Sequence, residues 1–257
     1  DLTPRERFDQ GYEETNGVRK TIKRPYGAER ERLAGLDLTE DDYRFFVDEV
    51  NRVGAIPMMT VFSRNRVSMA ARLPWQGKTF AKIASYDCAS MRLIADVANH
   101  FDTLIVSTGA TFDDEIEKTA AMLKEKNKTF ALLHCVTSYP NTLAMANLHR
   151  MSWLRRFAPK VGWSDHTHVG RDGIKAAKVA LMLGADYIER HFTILPADKT
   201  KDGPVSIMPV LLRELSDFAK LPNTEQKAII TKEIPEWEIM LGQSEREMTH
   251  TEMLNRD

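Results

Sequence analysis

The sequence predicts an α/β fold of the TIM-type (β/α) barrel class, and three patterns indicate it. From about residue 55 onward, short apolar runs alternate with amphipathic stretches of helical length, at a spacing of roughly 22 to 30 residues. The runs are apolar on both faces, which is typical of parallel strands covered by helices. Six such βα units are recognisable, two fewer than the eight of a closed barrel.

The six predicted strands are short, and several end in polar residues. In chain order they are AIPMMTVF (55–62), FAKIAS (80–85), TLIVST (103–108), FALLHCV (130–136), KVGWSD (160–165) and DYIERHFT (186–193). We expect a helix after each. Thr39 and Gly54 mark the start and the stop of a helix that precedes the first strand. Thr111 with Asp114 forms a capping-box pattern, and Gly184 is a left-handed stop before the last strand.

The two ends of the chain are predicted to lie outside these units. Residues 1–37 are charged and contain no apolar run long enough for a buried strand. They are interpreted as a solvated arm or as a long active-site loop whose basic residues meet an anion. Residues 38–220 form the incomplete barrel domain, and residues 221–257 form a C-terminal helical extension.

Composition excludes several classes of function. The 257 residues carry a formal net charge of −1, which gives no reason to expect a nucleic acid or an anionic membrane as partner. No run approaches about 18 apolar residues, and the N-terminus lacks the layout of a signal peptide. Cys88 and Cys135 stand in apolar surroundings and are interpreted as reduced core thiols. We expect a cytoplasmic protein.

Two histidines stand at the ends of consecutive predicted strands. His166 follows the fifth strand and His191 lies near the end of the sixth, and Ser164 and Glu189 share their faces. Neighbouring strands lie about 4.8 Å apart, and barrel active sites collect at their carboxyl ends. Two imidazoles there can hold one divalent metal ion and leave positions open. The alternative is that both are only hydrogen-bonded, and His168 is a weaker candidate ligand.

A lysine inside an apolar strand indicates an anion site. Lys82 lies within FAKIAS, where an ammonium is costly to bury unless an anion pairs with it. A phosphate or carboxylate ligand would satisfy it, with strand-end hydroxyls as further donors. The alternatives are an internal ion pair with Asp87 or Glu189 and, for the hydroxyls, ordinary capping of strand ends.

Six short motifs follow one another across about residues 38–215: KIASYD, STGA, HCVTSYP, GWSDHT, ERHFT and DGPVSIMP. In their order and spacing the chain resembles the N-acetylneuraminate (sialic acid) synthase family, the enzymes that condense phosphoenolpyruvate with an N-acetylated hexosamine. The resemblance implies a transferase of sialic acid biosynthesis in which Mn²⁺ or Mg²⁺ polarises the open-chain sugar aldehyde. Carbon C3 of phosphoenolpyruvate attacks that aldehyde, water adds at C2, and phosphate leaves by C–O cleavage.

The resemblance also implies roles for individual residues. The candidate catalytic residues are Lys82, Asp87 and Glu189, the substrate-binding residues are Thr60, Ser85, Ser107, Thr137, Tyr139 and Ser164, and the metal ligands are His166 and His191.

The chain departs from the family pattern in several places. The family's first two strands, which supply a glutamate and a lysine, are not recognisable, and neither is its C-terminal antifreeze-like domain. The usual GPDH motif is GPVS, Asp87 replaces a glutamate, and Thr137 stands where asparagine is frequent. A catalytically incomplete sugar- or phosphate-binding barrel and a related metal-dependent aldolase therefore stay open. The expected partners are phosphoenolpyruvate, a sugar aldehyde, and either further copies of the chain or a segment that completes the barrel.

Overall fold

The computed structural model describes residues 8–15, 18–25 and 27–256, with side chains over residues 31–253. The chain divides into two compact units. One comprises residues 1–56 and 73–75, and the other comprises residues 57–72 and 76–256. The predicted boundaries after residues 37 and 220 stay predictions.

The first unit contains a hairpin and two helices. Its elements are β1 (Phe8–Thr15), β2 (Val18–Pro25), α1 (Gly27–Ala34) and α2 (Glu40–Arg52). The two strands pair antiparallel with each other. The sequence contains no apolar run here and therefore predicts no buried strand. The two strands can still form, because a two-stranded ribbon needs only backbone pairing. The predicted anion-binding role of the basic residues in this segment stays a prediction, and all of them but Arg32 have side chains outside the described part.

The predicted limits of α2 are confirmed. The Thr39 hydroxyl accepts the N–H of Asp42 at 3.2 Å, and the Asp42 carboxylate accepts the N–H of Thr39 at 2.8 Å. This reciprocal pair is a capping box, which satisfies donors that the first turn leaves without partners. Gly54 has a φ of 75°, the left-handed conformation that ends helices.

A seven-stranded parallel sheet forms the second unit. Its strands are β3 (Met58–Thr60), β4 (Phe80–Ile83), β5 (Thr103–Ser107), β6 (Thr129–Cys135), β7 (Lys160–Asp165), β8 (Tyr187–Phe192) and β9 (Ser206–Ile207). Each strand pairs with the next along the chain. Sequential order is that of a curled barrel sheet, whereas a doubly wound sheet reverses its order. The predicted fold class is confirmed.

In the described part of the chain the parallel sheet has one strand more than the six predicted. Strands β3 to β8 match the six predicted runs to within one residue, but β9 has only two residues, within DGPVSIMP, and is not predicted. In the described part of the chain the sheet is open, with β3 and β9 as its edges.

Helices follow most of the strands. They are α3 (Arg64–Ala71), α4 (Met91–Ala98), α5 (Asp113–Glu125), α6 (Arg150–Leu154), α7 (Val169–Asp172), α8 (Lys175–Met182), α9 (Pro209–Ala219), α10 (Asn223–Glu233) and α11 (His250–Arg256). Within the sheet of β3 to β9, β8 has no helix after it, because only short 3₁₀ turns separate it from β9.

Two predicted helix details are wrong and one is confirmed. The stretch between β7 and β8 forms two helices, since Gly173 interrupts it with a φ of 59°. Thr111 does not cap α5, because its hydroxyl donates to Gly109 O while the Glu115 carboxylate accepts the N–H of Phe112. Gly184 has a φ of 86° and is the predicted left-handed stop.

The inner face of the sheet changes from apolar to polar toward the strand ends. Ile105, Ala131 and Leu133 form a buried cluster on which Tyr187 packs. Beyond this apolar floor, the register aligns Cys135 with Ser164 and Ser164 with Glu189. Alternation along each strand keeps these polar residues on the face of the cluster. The core therefore supports a polar layer at the carboxyl ends of the strands.

Candidate active site

A cleft of about 400 Å³ opens at the carboxyl ends of β3 to β8. It is lined by Thr60, Phe62, Lys82, Ala84, Ser85, Tyr86, Ser107, Cys135, Thr137, Tyr139, Ser164, His166, Glu189, Arg190 and His191. Every predicted site residue except Asp87 is in this set. The cleft lies where barrel enzymes place their active sites, because side chains from several parallel strands converge there.

Lys82 lies at the floor of the cleft. Its ammonium donates to Ser107 Oγ at 2.8 Å and to Ile83 O at 3.0 Å, and it lies 3.4 Å from Glu189 Oε2. The other oxygen of Glu189 accepts the Ser164 hydroxyl at 2.7 Å. The lysine side chain is 8% exposed and the glutamate side chain 33%. The internal ion pair with Glu189 that the sequence left as an alternative is therefore present, and both of its members face the cleft.

The two candidate metal ligands face each other. The ring centroids of His166 and His191 are 5.3 Å apart, with the rings near perpendicular at 68°. His166 Nδ1 lies 3.4 Å from Val136 O, and His191 Nδ1 lies 3.4 Å from Asp202 Oδ2. Burial, and then the neighbouring His191, lower the pKa of His166 to about 3, which keeps that imidazole neutral. An imidazole whose Nδ1 contacts a carbonyl or a carboxylate is a typical metal ligand.

The donor set for a metal is small. Over the part of the chain that the structure describes, no group of three or more His, Cys, Asp and Glu residues is arranged to hold a metal ion. The two imidazoles therefore fit two positions of a divalent ion, and water or substrate would have to fill the others.

Aromatic and hydroxyl groups form the rest of the cleft wall. Tyr139 packs on His166, with ring centroids 4.0 Å apart, and burial raises the pKa of its phenol. Ser85 Oγ accepts the N–H of Gly109 at 3.2 Å. The N–H of Thr137 donates to Glu252 at 3.4 Å. These contacts fix aromatic and hydroxyl groups beside the two histidines and Lys82 in the cleft.

Asp87 and His168 do not line the cleft. Asp87 ends a 3₁₀ turn after β4, where it accepts the Ser90 hydroxyl at 3.2 Å and burial raises its pKa. His168 caps the N-terminus of α7, where its Nδ1 accepts the N–H of Arg171 at 3.2 Å.

Several cleft residues were not predicted from the sequence. Cys135 is buried, as expected of a core thiol, but it also lines the cleft, and burial raises its pKa to about 11. The sequence signal that could have identified it is its place at the end of the predicted strand FALLHCV, where other strands carry candidate site residues. Phe62 and Tyr86 lie beyond strand ends, where strand alternation no longer predicts the direction of a side chain. Arg190 is part of the ERHFT motif, but the sequence assigns it no role.

The fold and the cleft together define an α/β barrel protein with a buried lysine at the floor of the cleft and two histidines at its strand ends. The sequence matches the NeuB family over residues 6–229, and the chain belongs to that family.

Relatives and solved structures agree with this assignment. The chain is 34% identical over 140 residues to the N-acetylneuraminate-9-phosphate synthase of Drosophila melanogaster, covering 53% of this chain and 37% of the relative. It is 28% identical over 229 residues to the N,N'-diacetyllegionaminic acid synthase of Legionella pneumophila, covering 87% and 58%. The crystal structure of the spore coat polysaccharide biosynthesis protein SpsE from Bacillus subtilis aligns with a TM-score of 0.66 at 25% identity, covering 80% and 56%.

The chain spans about half the length of the curated relatives that it matches. No helix in the described ranges is both long and apolar enough to cross a membrane.

Proposed function

We propose that this chain is a nonulosonic (sialic) acid synthase, which condenses phosphoenolpyruvate with an N-acetylated hexosamine or a related sugar aldehyde and releases phosphate. The observation that carries the proposal is the Lys82 ammonium at the floor of an open cleft, beside two facing imidazoles. Membership of the NeuB family and the synthase names of the relatives support it.

Lys82 is suited to hold the carboxylate or the phosphate of phosphoenolpyruvate. Its pairing with Glu189 is long, at 3.4 Å, and Glu189 reaches solvent. An incoming anion can therefore take over part of the ammonium's hydrogen-bonding capacity without leaving a buried, unpaired carboxylate. The hydroxyls of Thr60, Ser85 and Ser107 line the same cleft and would add donors.

Glu189 is suited to move a proton. The Ser164 hydroxyl fixes one of its oxygens at 2.7 Å, and the other faces Lys82. A carboxylate held in this way can accept a proton from the water that adds to C2 of phosphoenolpyruvate, provided that water lies within hydrogen-bonding reach.

His166 and His191 would hold Mn²⁺ or Mg²⁺, and when bound the ion would supply Lewis-acid polarisation of the sugar aldehyde. In the overall reaction a C–C bond forms between C3 of phosphoenolpyruvate and the aldehyde carbon, water supplies the new oxygen at C2, and the C–O bond to phosphate breaks. A cytoplasmic location, and an active form that is oligomeric or completed by a further segment, belong to the same proposal.

The test is phosphate release from phosphoenolpyruvate in the presence of Mn²⁺ and a panel of N-acetylated hexosamines. We expect release that depends on one of these sugars and is lost in Lys82→Met. Lys160→Met is the matched control, because Lys160 begins β7 at the opposite end of the sheet. Binding of both substrates without phosphate release by the wild type would instead indicate an incomplete binding barrel. C–C bond formation with pyruvate in place of phosphoenolpyruvate would indicate an aldolase.

The metal part of the proposal is tested by metal content. We expect one Mn²⁺ per chain in the wild type and loss of that ion in His191→Ala, since one of the two proposed ligands is removed. Unchanged stoichiometric metal in the variant would contradict the assignment.

A further inference from the structure

One buried ion pair joins the two strands that carry the histidines. Asp165 and Arg190 are directly opposite each other in the register of β7 and β8. Their side chains meet at 2.8 Å and are 0% and 3% exposed. Each immediately precedes one of the candidate ligands, His166 and His191. Because strand side chains alternate between faces, both side chains point away from the face of Ser164 and Glu189, while Arg190 also borders the cleft.

Arg190 also binds the main chain on both sides of His166. Its Nη1 donates to Asp165 O and to the Thr167 hydroxyl, each at 3.1 Å, and its Nη2 donates to Thr167 O at 3.5 Å. Asp165 Oδ1 accepts both the N–H and the hydroxyl of Thr167, at 2.9 and 2.7 Å. The main chain on both sides of His166 is therefore hydrogen-bonded to Arg190, which immediately precedes His191.

We propose that Arg190 and Asp165 are positioning residues that set the placement of the His166 and His191 imidazoles relative to each other. The consequence for metal binding rests on the proposed function. Metal–ligand distances tolerate only about ±0.2 Å, so small shifts of one imidazole against the other weaken the site. Lysine cannot replace arginine here, because only the planar guanidinium fork reaches a carboxylate and several carbonyls together.

The test uses two mild variants of the full chain, since removal of the charge endangers folding. Arg190→Lys keeps the charge and loses the fork. Thr167→Val removes the hydroxyl shared by Asp165 and Arg190 at nearly constant volume. Arg150→Lys is the matched control, because Arg150 is 5% exposed, is paired with Asp113 and lines no part of the cleft.

Two measurements are made well below the melting temperature of each variant. Without metal, ¹H–¹³C spectra of the imidazoles report the surroundings of His166 and His191. With Co²⁺ as probe, visible absorption gives the affinity. We expect both histidine resonances to shift in Arg190→Lys and Thr167→Val and the Co²⁺ affinity to fall about 10-fold or more, the range measured when partners of metal ligands are removed. Arg150→Lys should lower the melting temperature and change neither readout.

Unchanged resonances and unchanged Co²⁺ affinity in both folded variants would overturn the proposal, and so would equal changes in Arg150→Lys. If the wild type binds no Co²⁺ that His191→Ala removes, the metal part of the proposed function fails. The metal-free spectra then still decide whether Arg190 and Asp165 position the two imidazoles.

Discussion

Glu189 and Arg190 are neighbours on β8, yet the ion pairs that they form differ in character. Glu189 meets Lys82 at 3.4 Å in the cleft and is 33% exposed. Arg190 meets Asp165 at 2.8 Å on the other face of the sheet, where neither side chain is more than 3% exposed. The cleft pair has one member in contact with solvent, whereas the rear pair is surrounded by protein.

The difference indicates what each pair can do. A pair that water reaches can exchange a partner for a ligand, because neither charge is left buried and alone. A sealed pair cannot exchange, so it can only fix geometry. The alternation of strand side chains places the exchangeable pair, Lys82 and Glu189, on the face that carries the cleft. It places the fixed pair, Asp165 and Arg190, on the opposite face of the sheet.

The largest expected effect is a difference in the free energy of unfolding between variants of the two ion pairs. Arg190→Met leaves the Asp165 carboxylate buried without its partner and should lower the free energy of unfolding by about 3–5 kcal/mol. Lys82→Met leaves Glu189 able to meet water and should lower it by about 1 kcal/mol at most, as for pairs that solvent reaches. Urea denaturation of both variants measures the difference. Equal losses would mean that the two pairs do not differ as described.

The next effect concerns ligand binding by the cleft pair. Lys82→Met should raise the dissociation constant for phosphoenolpyruvate about 30-fold or more, since truncation of a buried charged partner removes about 2–5 kcal/mol of binding. Isothermal titration calorimetry measures it, with Lys160→Met as the control. Undiminished affinity would show that Lys82 serves only as the internal partner of Glu189.

The polar ends of apolar strands were enough to predict most of the site. Because parallel strands bring their carboxyl ends together, the positions of Lys82, Ser164, His166 and His191 in the sequence imply one cleft, and the structure has it. Asp87 is the exception for a geometric reason. It follows β4 in a 3₁₀ turn of about three residues, and such a turn rotates successive side chains away from the two-residue alternation of a strand.

The rest of the structure depends on contacts that no local pattern contains. Strand β9 is too short for an apolar run to mark it, and Gly173 breaks a helix whose apolar spacing continues on both sides. The pairing of Asp165 with Arg190 requires the register of β7 against β8, which becomes known only when the two strands are placed side by side.

A third effect tests how closely β7 and β8 must approach. A Cβ atom added to Gly162 would lie 2.2 Å from Tyr187 O, a backbone atom of the neighbouring strand. Gly162→Ala should therefore force the two strands apart and lower the free energy of unfolding by about 1–3 kcal/mol, as overpacking does. Gly35→Ala is the control, because its added Cβ would meet its nearest atom at 3.5 Å, an ordinary contact. Equal unfolding midpoints for the two variants would contradict this account.

The smallest expected effect lies at the open rim of the cleft. Asp202 Oδ2 is 3.4 Å from His191 Nδ1, and the aspartate side chain is 50% exposed. A carboxylate at this position orients a ligating imidazole and raises its basicity, and its removal lowers metal affinity by about 10- to 100-fold. Because water can partly replace a half-exposed partner, the loss of Mn²⁺ affinity in Asp202→Asn should be near the lower limit, at about 10-fold.

Electron paramagnetic resonance of free Mn²⁺ measures the affinity. Asp198→Asn is the matched control, since Asp198 is 72% exposed on the same connection and pairs with Lys199. If the two variants bind Mn²⁺ equally well, Asp202 does not act through His191, and the support of that imidazole comes from the rear of the sheet alone.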